Sequence, residues 1–220
     1  MNKHLHYGQQ QAKKALEIDW DKHIKVKNDQ SFFNNKCLLS VSTLLSGLNK
    51  VKFANVPAQY LEMAAQDGKD VMVYLEYLWK EHVTYDIALK LEYPNPKIKS
   101  MVLAIYKFLA DNRFKVIAFE KHISNGFWHG YIDLVVRDLD RQLTSLIEVK
   151  TRNKSEVYDT DRLQVAVYGR MLTKKGLPLW VLVINKNNMQ ITFEQVRLDT
   201  KLITIANQFI SKFLSKDYQI

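Results

Sequence analysis

Phe127 to Tyr168 reads FWHGYIDLVVRDLDRQLTSLIEVKTRNKSEVYDTDRLQVAVY, and the rest of the chain can be placed around it. Residues 127–136 and 143–151 alternate with a period of two, and the polar run Arg137 to Gln142 between them predicts a turn. From 159 to 173 the apolar spacing becomes helical. Strands joined by so short a turn pair antiparallel, which brings Asp133 to Glu148 across fifteen residues of sequence. Glu148 and Lys150 stand two apart, so both side chains leave the same face of their strand. Gln164 and Tyr168 stand at i and i+4 and share one side of the helix. Two carboxylates and an amine are therefore expected on one sheet face, with two polar helix residues above them.

Upstream, 114–122 (FKVIAFEKH) predicts a further strand, separated from the next by Ser124-Asn125-Gly126, so that three strands form a meander. Downstream, the nearly all-apolar 178–185 predicts a buried strand. Residues 189–196 alternate like an edge strand returning after Asn187-Asn188, and 200–214 predicts a closing helix. With the amphipathic helix 98–111 in front, the order is α, β, β, β, α, β, β, α, an α/β fold with a mixed central sheet.

The first hundred residues read as mostly helical: 38–48 opened by Ser40 or Ser42, then 57–66, then 70–83 with an apolar stripe at Val71, Tyr74, Leu75 and Leu78. The pair Pro94 and Pro96 marks the best boundary, giving a helical N-terminal region, residues 1–96, packed on a core, residues 97–220. No repeat or low-complexity tract interrupts this plan.

The 220 residues carry a formal net charge of +9, which favours a polyanionic partner, since lysines along a phosphate backbone release its counterions. Residues 1–55 alone hold nine lysines against Glu17, Asp19, Asp21 and Asp29, although a solubilising surface has the same signature. Cys37 is the single cysteine, which excludes an internal disulfide and the four thiolates of an iron–sulfur cluster or all-cysteine zinc site. A catalytic metal must then sit on oxygen or imidazole. No apolar run approaches the roughly 20 residues of a membrane span, and the start MNKHLHYGQQQ has no signal-peptide segment, so a cytoplasmic location without membrane association is expected.

Cutting a phosphodiester needs a nucleophilic water, neutralisation of charge on the pentavalent phosphate and stabilisation of the departing oxygen. Magnesium on one or two carboxylates, keeping part of its water shell, supplies most of this. Asp133 and Glu148 are the expected ligands, with the Val149 carbonyl as a further oxygen. Lys150 is assigned to positioning the water or phosphate before any general-base role, because metal and phosphate pull its pKa in opposite directions. Gln164 is placed to bridge to metal-bound water and Tyr168 to donate to a phosphate oxygen. Each signal alone has an ordinary reading, such as a surface ion pair for Glu148 and Lys150; the ordered set is what points to chemistry.

In that order the motifs resemble the PD-(D/E)XK nuclease superfamily, in its RecB-like and Cas4-like exonuclease branch. Gly130-Tyr131-Ile132-Asp133 is similar to the family's G-x-x-D strand, Ile147-Glu148-Val149-Lys150-Thr151 to its D/E-x-K strand, and Gln164 through Tyr168 to its Q-x-x-x-Y helix. Less closely, Ser40-Val41-Ser42 is like the opening S-x-S helix, and Gly68 through Glu76 resembles G-T-x-V-H-x-x-x-E. Glu120 falls where an acidic residue precedes the G-x-x-D strand.

The resemblance implies a restriction-endonuclease-like core with α-β-β-β-α-β order, a helical N-terminal region lining a DNA channel, and a Mg2+- or Mn2+-dependent exonuclease acting on linear DNA with ends. Compact phage-encoded enzymes of this branch lack the iron–sulfur cluster, as the lone Cys37 requires here. Work beside a single-strand annealing or recombination protein is a further implied partnership. Met72 stands where the family's metal-binding histidine would be, and a thioether is a poor ligand for a hard cation.

Arg152, Lys154, Arg162 and Arg170 are the candidate DNA contacts. His122 and His129, flanking the strand turn, are weighed as further ligands, and Phe127-Trp128 as a base-stacking wedge. Two other functions remain open on the sequence: an endonuclease of restriction or junction-resolving type on the same fold, and a DNA-binding scaffold that has lost turnover.

Overall fold

The computed structural model describes residues 54–125, 128–172 and 177–197, most positions between Lys25 and Ser42, and a few isolated ones near Lys22, Leu45 and 202–208. The elements are β1 (Lys25–Lys27), β2 (Gln30–Phe33), β3 (Lys36–Ser40), α1 (Ala58–Lys80), α2 (Tyr85–Ala88), α3 (Pro96–Asp111), β4 (Phe114–Ser124), β5 (Trp128–Asp138), β6 (Leu143–Arg152), α4 (Asp159–Leu172), β7 (Leu179–Asn185) and β8 (Ile191–Val196).

The protein is an α/β fold on a mixed sheet. β4, β5 and β6 form the expected antiparallel meander, α4 carries the chain back so that β7 lies parallel to β6, and β8 closes the edge antiparallel to β7. Alternation decides which layer each strand residue joins. Leu134, Val136, Ile147, Val149, Leu182 and Ile184 pack against α1 and α3, while Val135, Leu146, Val181 and Val183 pack against α4. The sheet thus has helices on both faces, which explains why 179–185 is almost continuously apolar.

α3 starts where the Pro pair suggests. Asn95 caps it, its Oδ1 accepting from the Ile98 N–H at 2.9 Å, and Pro96 occupies the first turn, where its missing N–H costs nothing.

The N-terminal region departs from the sequence reading in two ways. Beside its helices, the described part of it carries three strands: β1 and β2 form a hairpin that continues into β3, which joins the main sheet parallel to β5 through Leu39↔Trp128 and Ser40↔His129. Residues 38–40 are therefore strand, and helix begins only at Val41 and Ser42, so the short apolar run that fits one turn of helix is claimed instead by an open strand edge. The second departure concerns 57–66 and 70–83, which form one helix running through Gly68. A mid-helix glycine costs about 1 kcal/mol, and burial of Val71, Met72, Leu75 and Leu78 against the sheet offsets it. The closing helix 200–214 lies almost wholly outside the described residues.

Candidate active site

β5 and β6 pair from Asp138↔Leu143 to Leu134↔Ile147, and beyond that pair they separate. Continuing the register sets Asp133 opposite Glu148, and directly opposed residues of an antiparallel pair share a face. In the fork, Asp133 Oδ2 accepts the Val149 N–H at 2.7 Å, so a side chain replaces the ladder bond lost when the strands part. The Glu148 carboxyl lies within hydrogen-bonding reach of Asp133.

From Glu148 the contacts run outward. Lys150 Nζ donates to Glu148 Oε1 at 2.7 Å and to Gln164 Oε1 at 3.1 Å, and Gln164 Nε2 donates to the Tyr168 hydroxyl at 3.2 Å. All five residues expected from the ordered motifs stand in one connected network. Glu148 is 3% exposed, and its Oε2 has no hydrogen-bond partner. A buried carboxylate oxygen left unpaired is costly, and the ordinary remedies are a proton shared with the neighbouring Asp133 carboxyl, a water or a cation.

That oxygen's residue lines a cavity of about 170 Å3, together with Asp133, Val149, Lys150, Thr151, Glu120, Gly68, Lys69 and Met72. Burial raises the Glu148 pKa, and the Asp133 charge raises it further against the pull of Lys150. Asp133 is also raised by burial, opposed by Lys150 and the Val149 N–H. For Lys150, burial acts to lower the pKa, but the Glu148 and Asp133 charges outweigh it and hold the amine above the usual lysine range. Their charges thus favour the ammonium form, which suits a positioning role.

Among known proteins, no family model matches the chain. It is similar to the uncharacterized protein UU146 of Ureaplasma parvum serovar 3, 27% identical over 197 residues that cover 84% of this chain and 93% of that protein. A crystal structure of SSO0001 superimposes with a TM-score of 0.39 at 15% identity, over 97% of this chain and 88% of that one. The chemistry therefore rests on the residues themselves.

The donor set suits a small hard cation: two carboxylates on one face, one of them with an orphaned buried oxygen, beside Val149. Among the described residues no three His, Cys, Asp or Glu side chains gather closely enough to form a complete cage, so any ion bound there must keep waters. Glu120, the third carboxylate on the cavity wall, has a left-handed backbone, φ 41°, and its register places it across from Asp133. Burial, then Asp133 and Glu76, raises its pKa. Met72 both lines the cavity and belongs to the core behind it, which suits its thioether.

Tyr168 is 2% exposed, and burial and the Glu148 charge push its pKa up. Its hydroxyl accepts from Gln164 Nε2 and from the Tyr131 backbone, contacts that hold Gln164 and leave the hydroxyl's own proton available to donate.

The four candidate DNA contacts separate. Arg152 pairs with buried Asp161 at 2.9 Å and covers the Tyr158 ring at 4.1 Å. Arg162 is gripped by both oxygens of Glu194, at 2.6 and 2.9 Å, and by Asp159. Both arginines are thus paired with carboxylates. Arg170 sits in the last turn of α4, where a cation favours the helix dipole. Lys154 alone of the four is exposed beside the site, on the wall of a groove of about 550 Å3 that reaches Lys150 and Gln164. His122 and His129 are buried against each other, ring nitrogens 3.2 Å apart, and line neither cavity. Trp128 is buried, and Phe127 lies outside the described residues.

The sequence reading passed over two groups. Asp161 answers the Tyr158 N–H at 2.8 Å, half of a capping box at the start of α4, while also holding Arg152. Lys186, 5% exposed at its side chain, binds Asp67 at 2.6 Å and ties α1 to the end of β7. Capping spacing makes Asp161 findable; nothing local links residues 67 and 186.

Proposed function

We propose that this protein is a metal-dependent deoxyribonuclease with a restriction-endonuclease-like core, acting as an exonuclease on DNA ends. The observation that carries the reading is the fork between β5 and β6, where Asp133 and Glu148 meet on one face and line a cavity with Lys150, one buried Glu148 oxygen having no hydrogen-bond partner. The meander, crossover helix and parallel fourth strand are consistent with that core.

Asp133, Glu148 and the Val149 carbonyl would hold one Mg2+ or Mn2+, with Glu120 on the wall of the same cavity. Bound there, the ion supplies charge neutralisation on the phosphate and an activated water. The chain's own residues do the rest. Asp133 keeps the fork open by holding the Val149 N–H. Lys150, an ammonium anchored by Glu148 and Gln164, presents positive charge to the phosphate without needing to change protonation. Gln164 limits where that ammonium can point, and Tyr168 limits Gln164.

The test uses end-labelled linear DNA, single- and double-stranded, and covalently closed circles, each with Mg2+, Mn2+ or EDTA. Release of nucleotides from linear substrates alone, abolished by EDTA and in Asp133→Ala and Lys150→Ala, is the expected result. Nicked circles would replace the exonuclease with an endonuclease. No cutting beside a persistent gel shift would leave a DNA-binding protein without turnover.

A further inference from the structure

The groove beside the fork is lined by Val56, Tyr60 and Leu61 of α1 and its approach, and by the segment from Lys150 to Lys154 together with Tyr158. Tyr60 is 58% exposed, with Val56 and Leu61 also open to solvent, so this wall is apolar and uncovered. Four cations face the groove, Lys150, Arg152, Lys154 and Lys186, against the single carboxylate Asp161. Three of them already have partners, in Glu148, Asp161 and Asp67. Among the described residues Lys154 forms no ion pair within 4 Å, and it stands at the open rim.

We propose that this groove takes a single unpaired nucleic-acid strand, Tyr60 stacking on a base and Lys154 holding an adjacent phosphate. The proposal rests on the nuclease reading for its purpose but not for its test. A polyanion matches the charge, and a polyanion carrying exposed aromatic faces also matches the apolar wall. In a duplex the base faces are covered by one another, so only sugar and phosphate would meet Tyr60, Val56 and Leu61, leaving their apolar surface unsatisfied. A volume of about 550 Å3 lies in the range, on the order of 300–1,000 Å3, of sites that hold drug-sized ligands, which is about the bulk of a dinucleotide. Lys150 and Gln164 belong to the groove's lining, so a strand seated in it would bring a phosphate beside the fork.

The experiment measures binding in EDTA, where no cutting occurs, of fluorescein-labelled oligo(dT), oligo(rU) and a blunt duplex of equal length. The full chain is compared with Tyr60→Ala, Tyr60→Phe and Lys154→Ala, all with circular dichroism as the folding check. Single strands should bind more tightly than duplex. Tyr60→Ala should lose about 5- to 100-fold on single strands and little on duplex, and Tyr60→Phe should bind like the wild type. Lys154→Ala should weaken every substrate and lower the slope of log affinity against log salt by about 0.7–0.9. Tighter duplex binding overturns the proposal, as does a Tyr60→Ala variant that binds single strands unchanged. If the strand preference holds but Mg2+ produces no cleavage, the nuclease reading fails alone; cleavage with an indifferent Tyr60 sinks the groove assignment alone.

Discussion

The Tyr168 ring fills the space directly in front of Gly130: a Cβ built on residue 130 would lie 2.7 Å from Tyr168 Cε1 and 3.1 Å from its hydroxyl. Glycine is needed there for close approach, because the tyrosine that holds Gln164 must lie flat against β5. Gly130→Ala should therefore displace Tyr168, with a stability loss of about 1–3 kcal/mol, the usual cost of overpacking. Chemical denaturation measures it. The double variant Gly130→Ala, Tyr168→Ala should be less destabilised than the sum of the two single variants, and a fully additive pair would show that the two do not meet.

Metal binding should be visible without any substrate. A ligand present at 100 times its Kd stabilises the folded state by about 2.7 kcal/mol, which for a chain of this size is roughly 5–10 °C in Tm. Mg2+ or Mn2+ at millimolar concentration should raise the wild-type Tm, and Asp133→Asn should respond far less. Asparagine can still accept the Val149 N–H, so the fork survives while the charge is gone. Equal metal-induced shifts in both proteins would move the ion elsewhere.

The site was legible in the sequence to the extent that it is local. Asp133, Glu148, Lys150, Gln164 and Tyr168 follow from a period of two, one short turn and an i, i+4 pair, and the structure joins them in one network. What could not be read depends on partners distant in sequence. β3 is strand because Leu39 and Ser40 find the free edge of β5 nearly ninety residues away. Arg162 is gripped by Glu194, 32 residues on, a pairing that its sequence neighbourhood does not announce. Lys186 and Asp67 are 119 residues apart, and neither carries a signal for the other.

That clamp makes Arg162 the instructive negative case among the cations. With both ends about one-third exposed, the Arg162–Glu194 pair should be worth about 1 kcal/mol or less. Arg162→Gln is expected to lower stability by that amount in urea titrations and to leave both DNA affinity and its salt slope unchanged. A slope reduced by about one unit would reassign Arg162 to a phosphate.

His129 sets a pH dependence separate from the catalytic carboxylates. Burial first, and then His122, 3.2 Å away and itself stacked on Tyr131, lowers the His129 pKa from 6.5 to about 4. A histidine with a depressed folded-state pKa is stable as the neutral ring, so its contribution is intact above the unfolded value near 6.5. As pH falls from 6.5 toward 4, the unfolded chain binds a proton that the folded one refuses, and stability declines. By pH 5 the loss should be about 2 kcal/mol. The carboxylates also titrate in this range, so the comparison is with His129→Gln, which keeps hydrogen-bonding capacity and cannot charge. Urea unfolding at pH 7 and pH 5 should show the wild type losing about 2 kcal/mol more than the variant. Parallel losses would mean that the His129 ring accepts its proton inside the fold, and the account of His129 as a buried neutral ring would have to be abandoned.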